Sequence, residues 1–213
     1  MMTATLEADN RVPPVPGETA EEMQARAALY GLLAHLFLAA PARELLDRIA
    51  ASSTLISGES LPLQAAWQEL CAAARIADPA RVREEFDSVF VGPGRPEVSL
   101  YASSYMSGTR RGHLLAELRD DLARAGYSRS AASSEYEDHL SALCEVMRGM
   151  VGEEQLDAAA FDAQREFFER YLAPWYAALC DAINQSGRTV FFRPVARFAS
   201  AFFVNESEYF ELA

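Results

Sequence analysis

Apolar residues recur every three to four positions along most of this 213-residue chain, which is the period of an amphipathic helix. The first such stretch covers residues 18–39, with Thr19 and the acidic pair Glu21 and Glu22 at its start and Pro41 as its stop. The same period predicts helices over about 42–51, 63–76, 79–91 and 112–125. Since no segment shows sustained alternation of apolar and polar residues, the pattern predicts an all-α fold.

The remaining helices are predicted in the second half of the chain. Ser134, followed three residues later by Glu137, fits a capping box, in which each side chain binds a backbone amide of the other residue. A helix is therefore predicted to begin near Ser134. A later apolar stripe, over 161–183, is interrupted by Pro174 and should break or kink there. The last helix has Pro194 in or near its first turn.

One connection, over residues 92–108, has no helical stripe and carries Gly92 and Gly94 at its start. Connections of this length within a domain tend to be functional or mobile. The sequence GPGRPE lacks the lysine and the spacing of a phosphate-binding loop. We therefore expect the two glycines to form turns and the connection to take part in binding.

Composition favours one domain with a full apolar core. Half of the residues are apolar and 23% are charged, as in ordinary globular proteins. Residues 1–18, which contain Pro and Gly and no apolar run, are expected to be a disordered lead-in without a secretory signal, followed by a helical domain over 19–213. The longest uncharged apolar run, residues 27–40, is too short to span a bilayer, so no membrane insertion is expected.

The charge balance restricts the partners. The net charge is -12, which repels nucleic acid and anionic lipid and favours basic partners. A helical DNA-binding regulator would need a basic recognition helix, whereas the first forty residues hold only Arg11 and Arg26 as basic groups. Three isolated cysteines, Cys71, Cys144 and Cys180, indicate reduced core thiols and a reducing compartment.

The candidate chemistry centres on an acidic cluster of Glu135, Glu137 and Asp138 with His139. On local chemistry alone the cluster is a helix N-terminus, where carboxylates meet free amides. Glu135 and His139 form a single pair, without the convergent ligands of a metal site, so neither a metal nor a cofactor is expected. An enzyme that uses the Asp138–His139 pair, or a helical ligand-responsive regulator, remains as an alternative, and turnover would distinguish the enzyme.

Five segments taken together resemble the TorD/DmsD/NarJ superfamily, in particular its TorD-like branch. They are EEFDSVFVGPG, SLYASSYM, SEYEDHLSALCEVM, FFERYLAPWYAALCDAI and VFFRPVARFASAFF, and the resemblance covers about residues 27–208. The superfamily's Glu-Pro-x-Asp-His motif falls on 135–139, with Tyr136 in place of the proline. Its aromatic-x-Ser-x-aromatic motif falls on Tyr101, Ser103 and Tyr105. Where relatives have His-Leu-x-Pro-Trp, this chain has Tyr171, Leu172, Pro174 and Trp175.

The resemblance implies an all-α, single-domain helical bundle without catalytic chemistry. Members are cytoplasmic chaperones that bind the twin-arginine leader of an exported molybdenum enzyme, and often its apo form, and hold back export until the cofactor is inserted. A homodimer formed by exchange of terminal helices is a further expectation.

A leader with two arginines and an apolar run needs carboxylates beside an apolar groove. The expected peptide-binding residues are Asp138 and Glu135 for the arginines, His139 and Ser103 to orient them, and Tyr101, Tyr105 and Leu140 along the groove. Because Asp138 lies off the apolar stripe, its loss is expected to leave the core intact.

Overall fold

The computed structural model describes residues 19–52, 60–92, 94–127, 136–152 and 157–212, so the predicted lead-in over 1–18 lies outside the described residues. The described part forms an all-α bundle of nine α-helices without a strand, which confirms the predicted fold class. The helices are α1 (Ala20–Leu38), α2 (Arg43–Ala51), α3 (Leu61–Ile76), α4 (Pro79–Phe86), α5 (Gly108–Arg124), α6 (Leu140–Val151), α7 (Ala158–Tyr171), α8 (Tyr176–Gln185) and α9 (Phe192–Leu212). None of these helices is both long and apolar enough to cross a membrane.

The ends of several helices follow from local sequence. Thr19 caps α1 through a capping box, because its hydroxyl accepts a bond from the Glu22 amide at 3.2 Å and the Glu22 carboxylate accepts one from the Thr19 amide at 2.7 Å. Gly126, with φ of +79°, follows the last turn of α5. The chain leaves helical geometry between Tyr171 and Tyr176, around Pro174.

The predicted capping box at Ser134 and Glu137 is wrong. Helix α6 begins at Leu140, and Glu137 lies before it and pairs with Arg119 instead. Ser134 itself lies outside the described residues. The physical reason is that the backbone just before α6 bonds to another part of the chain, so the cap is supplied later, by His139, which accepts a bond from the Ser141 amide at 3.2 Å.

The first and last helices are joined by a buried ion pair. Arg26 of α1 donates Nε and Nη2 to the two carboxylate oxygens of Glu206 of α9, each at 2.8 Å. The Tyr30 hydroxyl donates to the same carboxylate at 2.7 Å, and the Arg26 guanidinium lies 4.1 Å from the Tyr209 ring centre. Burial, and then the charge of Glu206, raise the pKa of Tyr30 well above its usual value. Each charge therefore has its donors or acceptors in place, which is what allows the pair to be buried.

Replacing one member of this pair should destabilise the protein much more than replacing both. Arg26→Met leaves the Glu206 carboxylate buried beside Tyr30 alone, so we expect a loss of about 3–5 kcal/mol in the free energy of unfolding. The double variant Arg26→Met, Glu206→Leu leaves no buried charge there and should lose clearly less. Urea denaturation of the single and double variants measures both values, and equal losses would show that the pair is not desolvated as described.

The three cysteines lie in the core and are free thiols. Burial raises the pKa of Cys180 to about 12 and also raises those of Cys71 and Cys144. A raised thiol pKa lowers the fraction of thiolate, the reactive form, at every pH below it.

In the folded protein, all three thiols should therefore react with an aromatic disulfide reagent only as fast as the protein opens. In denaturant they should react at once, three per chain. The measurement is the rate and extent of reagent release at about pH 8 with and without urea. Fast reaction of one thiol in the folded state would contradict the burial of that cysteine.

Candidate functional site

Two segments far apart in the sequence meet at one end of the bundle. Tyr101 and His139 form an isolated antiparallel bridge. The Ala102 amide donates to the Asp138 carbonyl at 3.0 Å, and the Leu140 amide donates to the Leu100 carbonyl at 2.9 Å. The connection after α4 is thereby joined to the start of α6.

The connection is packed through alternate residues. Val98, Leu100 and Ala102 are buried, whereas Ser99 and Tyr101 between them are partly exposed. Extended backbone places successive side chains on opposite sides, which explains the alternation. Residues 92–108 were predicted to carry no helical stripe, and this short alternation of buried and exposed residues was not predicted. The signal, VSLYA, was present but is too short to identify a strand.

Two turn glycines open this connection. Gly92 has φ of +58° and Gly94 has φ of +98°, a region in which a side chain is disfavoured. At Gly92 an added Cβ would also come within 3.1 Å of the Arg95 carbonyl oxygen. The turn brings Pro96 back over the end of α4, where it lines an apolar cavity.

The Asp138 carboxylate is an internal anchor of the site. The residue is only 1% exposed, and its Oδ2 accepts a hydrogen bond from the Ser103 amide at 3.0 Å. The buried carboxylate thus holds the short 3-10 turn Ala102–Ser104 in place. The expectation that the loss of Asp138 leaves the core intact is wrong. Asp138 is buried and precedes α6, so the helical spacing that placed it off the apolar stripe does not apply.

His139 supports both sides of the junction. Its ring is 5% exposed and lies edge-on to Tyr101, with 4.9 Å between ring centres. Since Nδ1 accepts the bond from the Ser141 amide, a neutral ring carries its proton on Nε2. His139 therefore fixes the start of α6 and the orientation of Tyr101 together.

The two tyrosines of the loop motif lie in different surroundings. Tyr101 is partly exposed, and its ring centre is 6.4 Å from that of Tyr136, which is 56% exposed. Tyr105 stacks on Trp175 at 5.4 Å and donates its hydroxyl to the Ser99 carbonyl at 2.8 Å. Burial raises the pKa of Tyr105 to about 12. Tyr101 is the more accessible aromatic surface, while Tyr105 connects the loop to the α7–α8 corner.

Two open cavities lie on either side of Tyr101 and share that residue and Pro96. The first, of about 280 Å³, is mainly apolar and is lined by Leu38, Phe86, Phe90, Val91, Pro96, Leu100, Tyr101 and His139. The second, of about 710 Å³, is lined by Arg95, Pro96, Glu97, Val98, Ser99, Tyr101, Ser104, Tyr105 and Ala182. Leu38 and Val91 are 55% and 56% exposed, so the apolar cavity continues into an apolar surface.

Two carboxylates near the junction are paired with arginines. Glu137 binds Arg119 of α5 through two bonds of 3.0 Å, and Glu97, in the wall of the larger cavity, lies 3.3 Å from the Arg188 Nε. Both arginines are more than half exposed. The site thus combines an apolar cavity with carboxylates that already bind guanidinium groups.

The structure brings together most of the residues predicted to bind a peptide. Tyr101, Ser103, Asp138, His139 and Leu140 form one junction, and Tyr105 lies on its far side in the wall of the larger cavity. Leu140 is fully buried beneath the junction. Glu135 lies outside the described residues.

Sequence reasoning missed Leu38, Phe86 and Phe90, which line the apolar cavity. The available signal was an apolar residue at the end of α1 and a phenylalanine pair four residues apart, which also fits ordinary core packing.

A protein-family model described as nitrate reductase delta subunit matches residues 58–181, more than half of the chain. The chain belongs to the nitrate reductase delta subunit family. This family consists of chaperones for the maturation of molybdoenzymes and is not itself catalytic, which confirms the resemblance to the TorD/DmsD/NarJ superfamily. The match covers both segments that form the junction. A comparison with the curated proteins finds no match to this chain.

Removing the Asp138 carboxylate should release the loop of this delta-family chain. Asp138→Ala removes the side-chain acceptor of the part-buried Ser103 amide, so we expect about 2 kcal/mol lower stability and faster hydrogen exchange at Ala102 and Ser103. Asp138→Asn keeps a carbonyl acceptor and should therefore change the stability and the exchange rates less.

The matched control is Asp157→Ala, which removes an exposed carboxylate that also accepts one backbone amide, that of Ala160 at 2.8 Å. It should cost about 1 kcal/mol and leave exchange at Ser103 unchanged. Unchanged exchange at Ser103 in Asp138→Ala would show that this carboxylate does not anchor the loop.

Proposed function

We propose that this chaperone binds the twin-arginine leader of an exported molybdenum-containing oxidoreductase, together with its apo form, in the cytoplasm. Binding would hold back export until the cofactor is inserted. The observation that carries the proposal is the apolar cavity beside Tyr101, open at Leu38 and Val91 and flanked by paired carboxylates.

The cavity of about 280 Å³ would take an apolar side chain from the apolar half of a leader. Its walls are supplied by Phe86 at the end of α4, by Phe90 from the turn that follows, by Leu100 from the connection and by Leu38 from α1. Two more-than-half-exposed aliphatic side chains at its rim remain in water until a partner covers them. An apolar side chain of the leader that enters here removes both surfaces from water.

The arginine half of a leader fits the charge of the site. The chain carries an excess of twelve negative charges, so a cationic peptide is attracted over a distance. Guanidinium groups bind carboxylates in forked pairs, and Glu137 is already engaged in such a pair. Asp138 contributes indirectly, because its buried carboxylate fixes the loop that carries Tyr101 and Ser103. Glu135 adds a negative charge to the same stretch of sequence.

Asp138 and His139 each use one side-chain atom to hold the backbone of the site. The Asp138 Oδ2 accepts a backbone amide, and the His139 Nδ1 caps α6. The two residues therefore give the proposed binding site a fixed shape.

Adding polarity to the cavity rim should weaken leader binding without harming the fold. We expect Leu38→Gln to lower the affinity for a peptide with Ser-Arg-Arg and an apolar run of about 10 residues by roughly fivefold, since about half of a leucine side chain loses its apolar contact. Titration calorimetry measures the affinity. Thermal melts should match the wild type, because Leu38 is already exposed.

The control is Ile76→Gln, which makes the same kind of change at an aliphatic residue 87% exposed at the end of α3. It should leave the affinity unchanged. Equal affinity of Leu38→Gln and wild type would remove the apolar cavity from the proposed site, and the absence of any binding by the wild type would overturn the proposed function.

A further inference from the structure

Arg119 and Glu137 form an ion pair through two parallel hydrogen bonds. The Arg119 Nε and Nη2 donate to the two separate oxygens of Glu137, each at 3.0 Å. The pair joins α5 to the segment before α6, immediately beside Asp138 and the Tyr101–His139 bridge. Two parallel hydrogen bonds from a guanidinium group to the two oxygens of a carboxylate are the arrangement by which proteins bind arginine in a fixed orientation.

The environment of this guanidinium is the acidic segment itself. The hydrogen bonds and charge of Glu137 raise the pKa of Arg119, and the charge of Asp138 contributes in the same direction. The Arg119 side chain is 51% exposed, whereas that of Glu137 is 10% exposed. The carboxylate is therefore held in place while its cation faces water, which is the arrangement that allows one guanidinium to replace another.

The helix that carries Arg119 has further contacts with the bundle. Among the side chains of α5 that the structure describes, residues 112–124, only Leu114 and Leu118 are buried. Arg170 of α7 binds Glu117 and Asp121 on α5 from the other side. Loss of the Arg119 contact therefore leaves α5 attached to the bundle.

Two other ion pairs in the described part of the chain lack this combination. Arg26 and Glu206 are buried, so no peptide reaches them. Arg188 approaches Glu97 through a single contact of 3.3 Å, without the fork. Arg119 and Glu137 combine a fork, an exposed cation and a position next to the junction.

We infer that Glu137 is an arginine subsite of the leader site and that Arg119 occupies it until a leader arginine takes its place. The inference rests on the proposed function, and it adds that Arg119 competes with a leader arginine for Glu137. Glu137 binds one guanidinium group both with and without the leader. The leader therefore gains affinity at Glu137 only by the difference between the binding free energies of its own arginine and of Arg119. Glu137 thus rejects peptides that lack arginine, because they would leave the internal pair intact and gain nothing from it.

The test uses full-length protein and a synthetic peptide with Ser-Arg-Arg followed by an apolar run of about 10 residues. Arg119→Gln removes the competitor and should tighten binding about threefold, whereas Glu137→Gln removes the subsite and should weaken it by roughly tenfold. In the Glu137→Gln background, Arg119→Gln should no longer tighten binding. The matched control is Arg165→Gln, which removes a 40%-exposed arginine paired with Asp162 within α7 and changes the net charge equally.

A second measurement monitors the competitor directly. The Nε–H resonance of Arg119 in a nitrogen-15 spectrum should shift when the arginine peptide is added, and should not shift with the same peptide carrying two alanines. An unmoved resonance under saturating arginine peptide would overturn the inference, as would equal effects of Arg119→Gln and Arg165→Gln. In both cases binding by the wild type would leave the proposed function standing, whereas the absence of peptide binding by wild type and Arg119→Gln alike would overturn both.

Discussion

The buried ion pair between Arg26 and Glu206 determines how the bundle closes. It fixes the first helix against the last, and a second carboxylate, that of Glu85, binds the amides of Phe191 and Phe192 at the other end of α9. Helix α9 is therefore held at its start by the Glu85 carboxylate and in its second half by the donors Arg26 and Tyr30, which bind Glu206. Since α1 carries both Arg26 and Leu38, which lies at the rim of the apolar cavity, the position of that cavity depends on this closure.

Carboxylates perform two separate functions in this acidic chain. Glu206, Glu85 and Asp138 bind internal donors and hold helices and turns in place. Glu137 and Glu97 bind arginines that face water. The difference lies in the partner: backbone amides and buried side chains are fixed donors that replace the water of a carboxylate, whereas an arginine that faces water leaves its carboxylate at little cost.

The helices were predictable from the sequence because their signals are local. The 3.6-residue period, the Thr19 capping box and the break at Pro174 each depend on residues within one or two turns. The start of α6 was predicted too early because Ser134 and Glu137 satisfy a local rule, while the actual backbone partners of the segment are Leu100 and Ala102, almost forty positions earlier. The site was predictable only as a set of residue types, identified through a family resemblance. Its contacts depend on a bridge between two short extended segments, and such a bridge leaves no periodicity long enough to detect.

The π-helical turn after α4 bears on how such pockets diversify. Residues Asp87–Val91 form this turn, which holds one residue more than an α-helical turn of the same height. The extra residue rotates the subsequent positions by about 100° relative to a regular helix, and it places Phe90 in the wall of the apolar cavity and Val91 at its rim. A relative without the insertion would keep Phe86 and the helix below it unchanged, yet present a differently shaped pocket. Loss or gain of a single codon at this turn would therefore reshape the cavity while leaving the rest of the bundle in place.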